Sequence, residues 1–136
     1  MEFIGRHTKG VQEQMIVPLS DETSDLVATE GIYKFHFPYD FTIEKAYLSL
    51  NTATVDGDVT VDINHLNNSI FATPLSIDAT ELTSSTASSQ STFITNRNQI
   101  GAFKEVVFDL DEVGQAGATG TGLKVMIIGH RTSTLY

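Results

Sequence analysis

The segment that decides the fold is VDGDVTVDINHLNNSIFATPLSID, residues 55–78. Apolar and polar residues alternate through its first half, where the apolar members are Val59, Val61 and Ile63. Successive side chains of a β-strand point to opposite faces of the sheet, so this alternation predicts a strand with one buried face. Asn67 and Asn68 follow, and asparagine tolerates the positive φ of a tight turn. The segment therefore predicts a β-hairpin with an acidic outer face.

The aspartates of this segment also raise the question of a calcium site. An EF-hand loop places oxygen ligands at positions 1, 3 and 5, glycine at position 6 and glutamate at position 12. A loop that began at Asp62 would have Leu66 at position 5 and Thr73 at position 12. A loop that began at Asp56 would have Asn67 at position 12. Both patterns fail, so the sequence predicts no EF-hand, while a calcium site built between separate loops stays open.

The same alternation recurs along the chain. Its clearest segments, besides residues 59–64, are residues 32–37, 46–51, 106–111 and 123–128. Shorter candidate strands are Met15–Leu19, Ile70–Ile77 and Thr92–Thr95. Turn residues separate these segments, and together they predict about eight short strands.

This number of strands in a chain of 136 residues predicts one all-β domain. Such strands form an antiparallel β-sandwich, and an eight-stranded jelly roll is the variety we favour. A plain immunoglobulin-like sandwich is the alternative, although the chain lacks the cysteines and the tryptophan typical of that fold. Residues 1–14 do not alternate, so we interpret them as an N-terminal arm before a domain that spans residues 15–136.

Composition and charge narrow the range of functions. The chain has no cysteine, which excludes a disulfide framework, a thiolate metal site and a cysteine nucleophile. Its formal net charge is −9, and residues 1–14 carry two charges of each sign, so the whole excess lies in residues 15–136. An acidic body repels a phosphate backbone, so we expect no nucleic-acid partner. Neither a signal-peptide pattern nor a run of ~18 apolar residues is present, so we expect a product made in the cytoplasm without a membrane partner.

Two acidic residues invite comparison with a catalytic pair. Asp109 and Asp111 lie two positions apart on one predicted strand, so their Cα atoms are expected ~6.6–6.8 Å apart on one face. That spacing suits a two-carboxylate glycosidase only loosely, because any outward pair on a strand shares it. A general acid also requires a desolvated carboxyl, which nothing in the sequence indicates. We therefore expect no enzyme activity, no catalytic residue and no cofactor.

Three further patterns carry no specific signal for chemistry. The histidines are too far apart in sequence for a zinc motif, and we expect surface or cap positions for His7, His36, His65 and His130. The glycine-rich segment 114–124 lacks the G-K-[S/T] ending of a phosphate loop, so we expect a flexible turn. The Ser/Thr-rich segment 82–92 is long for a hairpin connection. We expect it to be mobile or wrapped on the surface, with recognition as its candidate role.

Five segments, in this order along the chain, resemble a small module of tailed-bacteriophage virion proteins: VPLSDETSDL, FPYDFTIEKAYLSLNTA, VDINHLNNSIF, LSIDATELTSSTA and GLKVMIIGHR. The resemblance covers about residues 15–131, and the last three segments are its most specific part. The family pattern has a glycine near Asn68 and a lysine near Leu82, and both are absent here. The resemblance implies a virion component without catalytic residues, either as a standalone chain or inside a longer structural protein.

From these observations we expect a phage capsid decoration (cement) protein. Such a protein binds the major capsid protein on the surface of the assembled capsid, and we expect a homo-oligomer, specifically a trimer. We assign shell contact to the arm residues Phe3, Ile4 and Val11, and subunit contact to the apolar outer residues Met126 and Ile128. The alternative is a tail-fibre or tail-spike receptor-binding module, whose contacts would lie in the Ser/Thr-rich loop.

Overall fold

The computed structural model describes residues 11–115 and 119–132, which form eleven β-strands and one 3₁₀ turn. The strands are β1 Gln12–Pro18, β2 Thr29–His36, β3 Phe41–Ser49, β4 Val59–His65, β5 Asn68–Ser69, β6 Phe71–Thr73, β7 Leu75–Ile77, β8 Thr92–Phe93, β9 Gln99–Ile100, β10 Glu105–Val113 and β11 Lys124–Arg131. The 3₁₀ turn is Ser84–Thr86. Over the described ranges, no helix has the length and apolar character needed to cross a membrane.

The strands form two packed antiparallel sheets. Sheet A has the order β1–β11–β3–β9, and sheet B has the order β2–β10–β4–β5, with β7 also paired to β4. A separate two-stranded ribbon joins β6 to β8. The chain changes sheet at nearly every connection between long strands, an order compatible with a jelly roll. The prediction of an all-β sandwich is confirmed.

The strand count and several strand boundaries differ from the prediction. The count is eleven and not eight because several strands have only two or three residues. The predicted strand 70–77 is split into β6 and β7, since Pro74 has no N–H to donate to a ladder. β1 begins at Gln12 and not at Met15, because Gln12 pairs with His130 of β11. Residues 12–14 therefore belong to the sheet and not to the arm, and their polar side chains hide the strand from a hydrophobic pattern.

The hairpin predicted from the opening segment is present, with its turn one residue earlier. β4 and β5 pair through His65 and Asn68, which leaves Leu66 and Asn67 as a two-residue loop. Their φ angles are 55° and 64°, the positive values that a type I′ turn requires. Asn68 instead opens β5, and its side-chain amide donates to the Leu66 carbonyl oxygen at 3.0 Å.

The core lies between the sheets and is built from the inward residues of alternating strands. β4 contributes Val59, Val61 and Ile63, and β10 contributes Phe108, all at 0% exposure. Phe35 of β2 stacks on Phe108 with 5.8 Å between ring centroids. Burial of one such apolar side chain stabilises the fold by roughly 1.5–3 kcal/mol. The inward-facing side chains of the strands therefore hold the two sheets together.

The two flanks of the sandwich differ. On one flank the loop after β7 connects the sheets, because Leu50 donates its backbone N–H to the Leu82 carbonyl at 2.9 Å and Leu48 donates to Ser84 Oγ at 2.8 Å. We call this the closed flank. On the other, β1 and β2 are the terminal strands of their sheets, and each pairs with one neighbouring strand in the described part of the chain. We call this the open flank.

Replacement of Phe108 by alanine tests the central position of this residue in the core. We expect Phe108→Ala to lower the free energy of unfolding by about 3–5 kcal/mol, because the cavity cannot fill without moving both sheets. Urea denaturation followed by circular dichroism measures the change. Val55→Ala is the control, since Val55 is 74% exposed and its truncation should change stability by less than about 0.5 kcal/mol. Equal effects of the two changes would contradict the assignment.

Candidate functional site

Along the outer edge of β1, on the open flank, the backbone groups have no hydrogen-bond partner among the residues that the structure describes. Leu19 donates its N–H to the Leu123 carbonyl at 2.9 Å, so the odd-numbered residues of β1 direct their backbone groups toward β11. The even-numbered residues Gln12, Gln14 and Ile16 direct theirs away from the sheet. Such an edge can accept another extended chain.

An apolar slot lies between the edges of β1 and β2. Five residues line it: Met15, Ile16, Val17, Tyr33 and Phe35. Ile16 is 65% exposed and Tyr33 is 40% exposed, although both are large apolar side chains. Tyr33 also meets the core residue Phe108 edge-on, with 6.1 Å between ring centroids. The slot is therefore the point where the core reaches the surface between two sheet edges.

The outer face of sheet A extends this apolar surface around β1. Met126 and Ile128 lie on β11 and are half-buried there. The register places Met126 between Ile16 of β1 and Tyr47 of β3. We call the continuous surface the apolar band, which consists of Met15, Ile16, Tyr33, Phe35, Met126 and Ile128. The sequence predicted subunit contact for Met126 and Ile128 and made no such prediction for Ile16, because only the strand pairing shows that β1 is at an edge.

The residues predicted to contact the shell lie before this surface in the chain. Val11 is 82% exposed and stands directly before β1. Phe3 and Ile4 lie outside the described residues. The start of β1 is held by Glu13, whose Oε2 accepts from Arg131 Nε at 3.0 Å and whose Oε1 accepts from the Tyr39 hydroxyl at 3.0 Å. The Arg131 guanidinium also lies 4.0 Å from the Tyr39 ring centroid. The body therefore fixes the point at which the arm joins it.

The outer face of sheet B is acidic. Asp109 accepts two hydrogen bonds, from the Gly31 backbone N–H at 2.7 Å and from the Asn64 side-chain amide at 2.7 Å. Burial raises the pKa of Asp62, although a hydrogen bond from Ser69 partly offsets this effect. Burial also raises the pKa of Asp111, and repulsion from Asp62 and Asp109 adds to the shift. Burial, with repulsion between neighbouring carboxylates, thus disfavours the ionised forms of Asp62 and Asp111.

A β-bulge interrupts the regular pairing of β10 between Asp109 and Glu112. The register between β10 and β4 shifts between Leu110 and Glu112, so Asp111 is the extra residue of a β-bulge. Asp111 is exposed, whereas Asp109 accepts a hydrogen bond from the Gly31 N–H, so the two carboxyls differ in their surroundings although both belong to the acidic outer face. Across residues 11–115 and 119–132, no group of three or more His, Cys, Asp and Glu side chains is placed to hold a metal ion.

The prediction of a surface position is wrong for His65. This residue is only 5% exposed, and its Nε2 accepts from the Gly101 backbone N–H at 3.3 Å. Burial lowers the pKa of His65, and the nearby Arg97 and Lys104 lower it further. His65 occupies the inward position after Val59, Val61 and Ile63, so continued alternation was the signal that could have identified it. His36 is exposed, His130 is partly buried, and His7 lies outside the described residues.

The Ser/Thr-rich segment is wrapped on the closed flank. Ser84 is buried, and its Oγ accepts from the Leu48 backbone N–H at 2.8 Å. The Gln90 side-chain amide donates to the carbonyls of Ala87 at 2.8 Å and Ser84 at 3.1 Å. These contacts fold the segment against β3 and β7, where it forms one wall of a cleft. Of the two alternatives left open by the sequence, packing on the surface is the one observed.

Comparison of the chain with protein-family models, with curated proteins and with solved structures finds no significant match in any of the three.

Neutralisation of Asp111 tests the electrostatics of the acidic face. Because folding raises the pKa of Asp111 above its usual 3.8, the ionised carboxylate costs stability at neutral pH. This cost disappears as the pH falls through the raised pKa. We expect Asp111→Asn to raise Tm at about pH 7 and to lose that advantage near pH 3, and about 1 M salt should reduce the gain. Thermal unfolding across pH gives the measurement.

Asp25→Asn is the matched control, because it removes the same charge from an exposed position outside the cluster. An equal rise in Tm for both variants would show that total charge, and not the local cluster, sets the effect.

Proposed function

We propose that this chain is a structural protein of a phage virion, and specifically a capsid decoration protein. It binds the major capsid protein on the outside of the assembled capsid, after synthesis in the host cytoplasm, and acts without catalysis. The resemblance of residues 15–131 to virion modules supports this proposal. Further support comes from the open flank.

The observation that carries the proposal is the apolar band beside two free sheet edges. Exposed apolar surface of this kind marks protein–protein contact sites. An open sheet edge can also pair with an extended segment of a partner. Both features lie next to Val11, where the arm joins the body. A small sandwich with these features is suited to bridging neighbouring protein subunits.

A decoration protein would stabilise the shell through linkage. If it binds the assembled lattice and not the free capsid subunits, it shifts the equilibrium toward assembly by mass action. Many identical weak contacts then act together through multivalency. The acidic body is consistent with this role, since like-charged copies stay soluble before they reach the shell.

The arm and the band would have separate tasks. Phe3, Ile4 and Val11 would contact the shell, and Met126 with Ile128 would contact a neighbouring copy. The band surrounds an edge strand, so a copy that meets Met126 also approaches Ile16. We expect the resulting homo-oligomer to be a trimer at a local symmetry axis of the capsid.

Removal of the arm tests the shell contact. We expect deletion of residues 1–10 to reduce binding to decoration-free capsids at least tenfold, because the variant loses Phe3 and Ile4. Co-sedimentation with purified capsids measures the binding. The fold should persist, since β1 begins at Gln12, and unchanged Tm is the control. Full binding by the truncated chain would exclude the arm as the shell contact.

Introduction of a charge into the band tests the subunit contact. We expect Ile128→Glu to convert the trimer to monomers, because a buried unpaired carboxylate at an interface is unfavourable. Sedimentation velocity at micromolar concentration separates the two states. Val55→Glu is the matched control, since Val55 is exposed and outside the band. A monomeric wild-type chain, or a trimer that survives Ile128→Glu, would contradict the assignment.

A receptor-binding module of a tail fibre or spike is the second candidate. The observation in its favour is the cleft that the Ser/Thr-rich segment forms against β3 and β7. Immunogold labelling of intact virions distinguishes the candidates. Label over the heads supports decoration, and label at the tail tip supports receptor binding.

A further inference from the structure

The cleft on the closed flank is compact and lined by mixed groups. Its floor is the edge of β3 at Ala46, one wall is β7 with Ser76, and the other is the segment 89–93. The cleft volume is about 270 Å³. Ligand sites usually occupy ~300–1,000 Å³, so this cleft suits a ligand of one or two rings.

The floor of the cleft carries backbone groups that have no partner within residues 11–115 and 119–132. Leu48 donates its N–H to Ser84 on the side of β3 that faces away from β11. Alternation of hydrogen bonding places the N–H and C=O of Ala46 on that same side. β9 pairs only with Phe41 and Thr42 of β3, and no described residue hydrogen-bonds the Ala46 backbone there. One donor and one acceptor therefore point into the cleft.

The walls add two aromatic rings and several hydroxyls. Tyr47 and Phe93 both line the cleft and are partly exposed. Phe93 is held in place because it stacks on Phe71 with 5.3 Å between ring centroids. The hydroxyls of Ser76 and Ser91 make no side-chain hydrogen bond to any residue that the structure describes. The cleft thus offers flat apolar surfaces beside free donors and acceptors.

An extended peptide does not fit this gap. The edge of β3 already has partners on both sides of the cleft. The Ile43 N–H donates to the Asn98 carbonyl at 2.9 Å, and the Leu48 N–H donates to Ser84 Oγ. Between Ile43 and Leu48 the strand spans only ~16 Å, and Ala46 alone offers a free pair of backbone groups. A β-strand partner needs several consecutive pairs, so the occupant must be compact.

The chemistry of the cleft selects a polyhydroxylated ligand. A sugar ring presents C–H faces that pack on aromatic rings and hydroxyls that both donate and accept hydrogen bonds. The net charge of −9 disfavours an anionic ligand. We propose that the cleft binds one or two rings of a neutral saccharide, with Tyr47 and Phe93 as packing surfaces and Ala46 as the backbone contact.

This site is independent of the proposed decoration role. The cleft lies on the closed flank and the apolar band borders the open flank, although Tyr47 of the cleft is the cross-strand neighbour of Met126 of the band. A chain that fails to bind capsids can still bind a saccharide, and the reverse also holds, so the two proposals fail separately.

Titration of the ¹⁵N-labelled full chain with neutral trisaccharides tests the proposal. The probes are maltotriose, cellotriose, mannotriose, galactotriose and chitotriose, each up to about 20 mM. We expect at least one to shift the backbone amide resonances of Ala46, Tyr47 and Ser91 in a saturable manner. Absence of saturable shifts with all five probes would overturn the proposal. Shifts centred on Tyr33 would do the same, because they would place the binding on the open flank.

Two variants then assign the contact. We expect Tyr47→Ala to weaken binding about tenfold or more, while Phe103→Ala, which removes an exposed aromatic side chain outside both the cleft and the apolar band, leaves it unchanged. Ser76→Trp should block the cleft and abolish binding. Thermal unfolding of each variant shows whether the fold is retained. Binding that survives both Tyr47→Ala and a folded Ser76→Trp protein would overturn the assignment.

Discussion

The register shift at the centre of sheet A is the constraint on which the rest of the structure depends. Between Ile128 and Gly129 of β11, the facing strand β3 gains Glu44 as an extra residue. Gly129 makes this arrangement possible, because a Cβ there would collide with the Thr42 carbonyl oxygen and the ring of Phe41. The absent side chain lets Phe41 pack under β11, and the bulge allows both halves of β3 to bury apolar residues in the same core.

The edge of β3 has different partners before and after the bulge. Before it, β3 pairs with β9 through Phe41 and Thr42. After the bulge, the same edge of β3 faces the Ser/Thr-rich segment. There Ser84 Oγ accepts the hydrogen bond of the Leu48 N–H that a neighbouring strand would otherwise accept. Ala46 lies between these two segments, and on the side away from β11 its backbone groups have no partner in the described part of the chain. The extra residue therefore separates the part of β3 that pairs with β9 from the part that borders the cleft.

Much of the fold could be predicted, because hydrophobic alternation reports which face of a strand is buried. β4 and the inward face of β10 follow the pattern directly. The first half of β3 was missed because the bulge changes the buried positions from odd, at Phe41 and Ile43, to even, at Ala46 and Leu48. The start of β1 was missed for a different reason. Its residues 12–14 are polar and are held by backbone pairing, which leaves no trace in hydropathy.

The surface sites were less predictable, because they depend on neighbours far apart in sequence. Met126 and Ile128 were identified by their outward apolar character alone. These two residues form one surface with Ile16 and Tyr33 because β1 and β2 are the terminal strands of their sheets. The sequence alone does not show that position. The acidic face shows the same limit. The spacing predicted an outer face for Asp109. Only the fold shows that its carboxylate accepts hydrogen bonds from Gly31 and Asn64, which are far from it in sequence.

The composition of the free edge of β1 limits how a partner can use it. Its outward backbone groups belong to Gln12, Gln14, Ile16 and Pro18, and the proline has no N–H to offer. An added strand can therefore receive donors at only three positions, which is too short a ladder to stabilise association alone. The apolar side chains around Ile16 must supply the remaining free energy. Because the apolar side chains contribute more than the backbone ladder, a partner must match the shape of the band. Open-ended pairing of β1 edges, the usual hazard of an unprotected sheet, is therefore disfavoured.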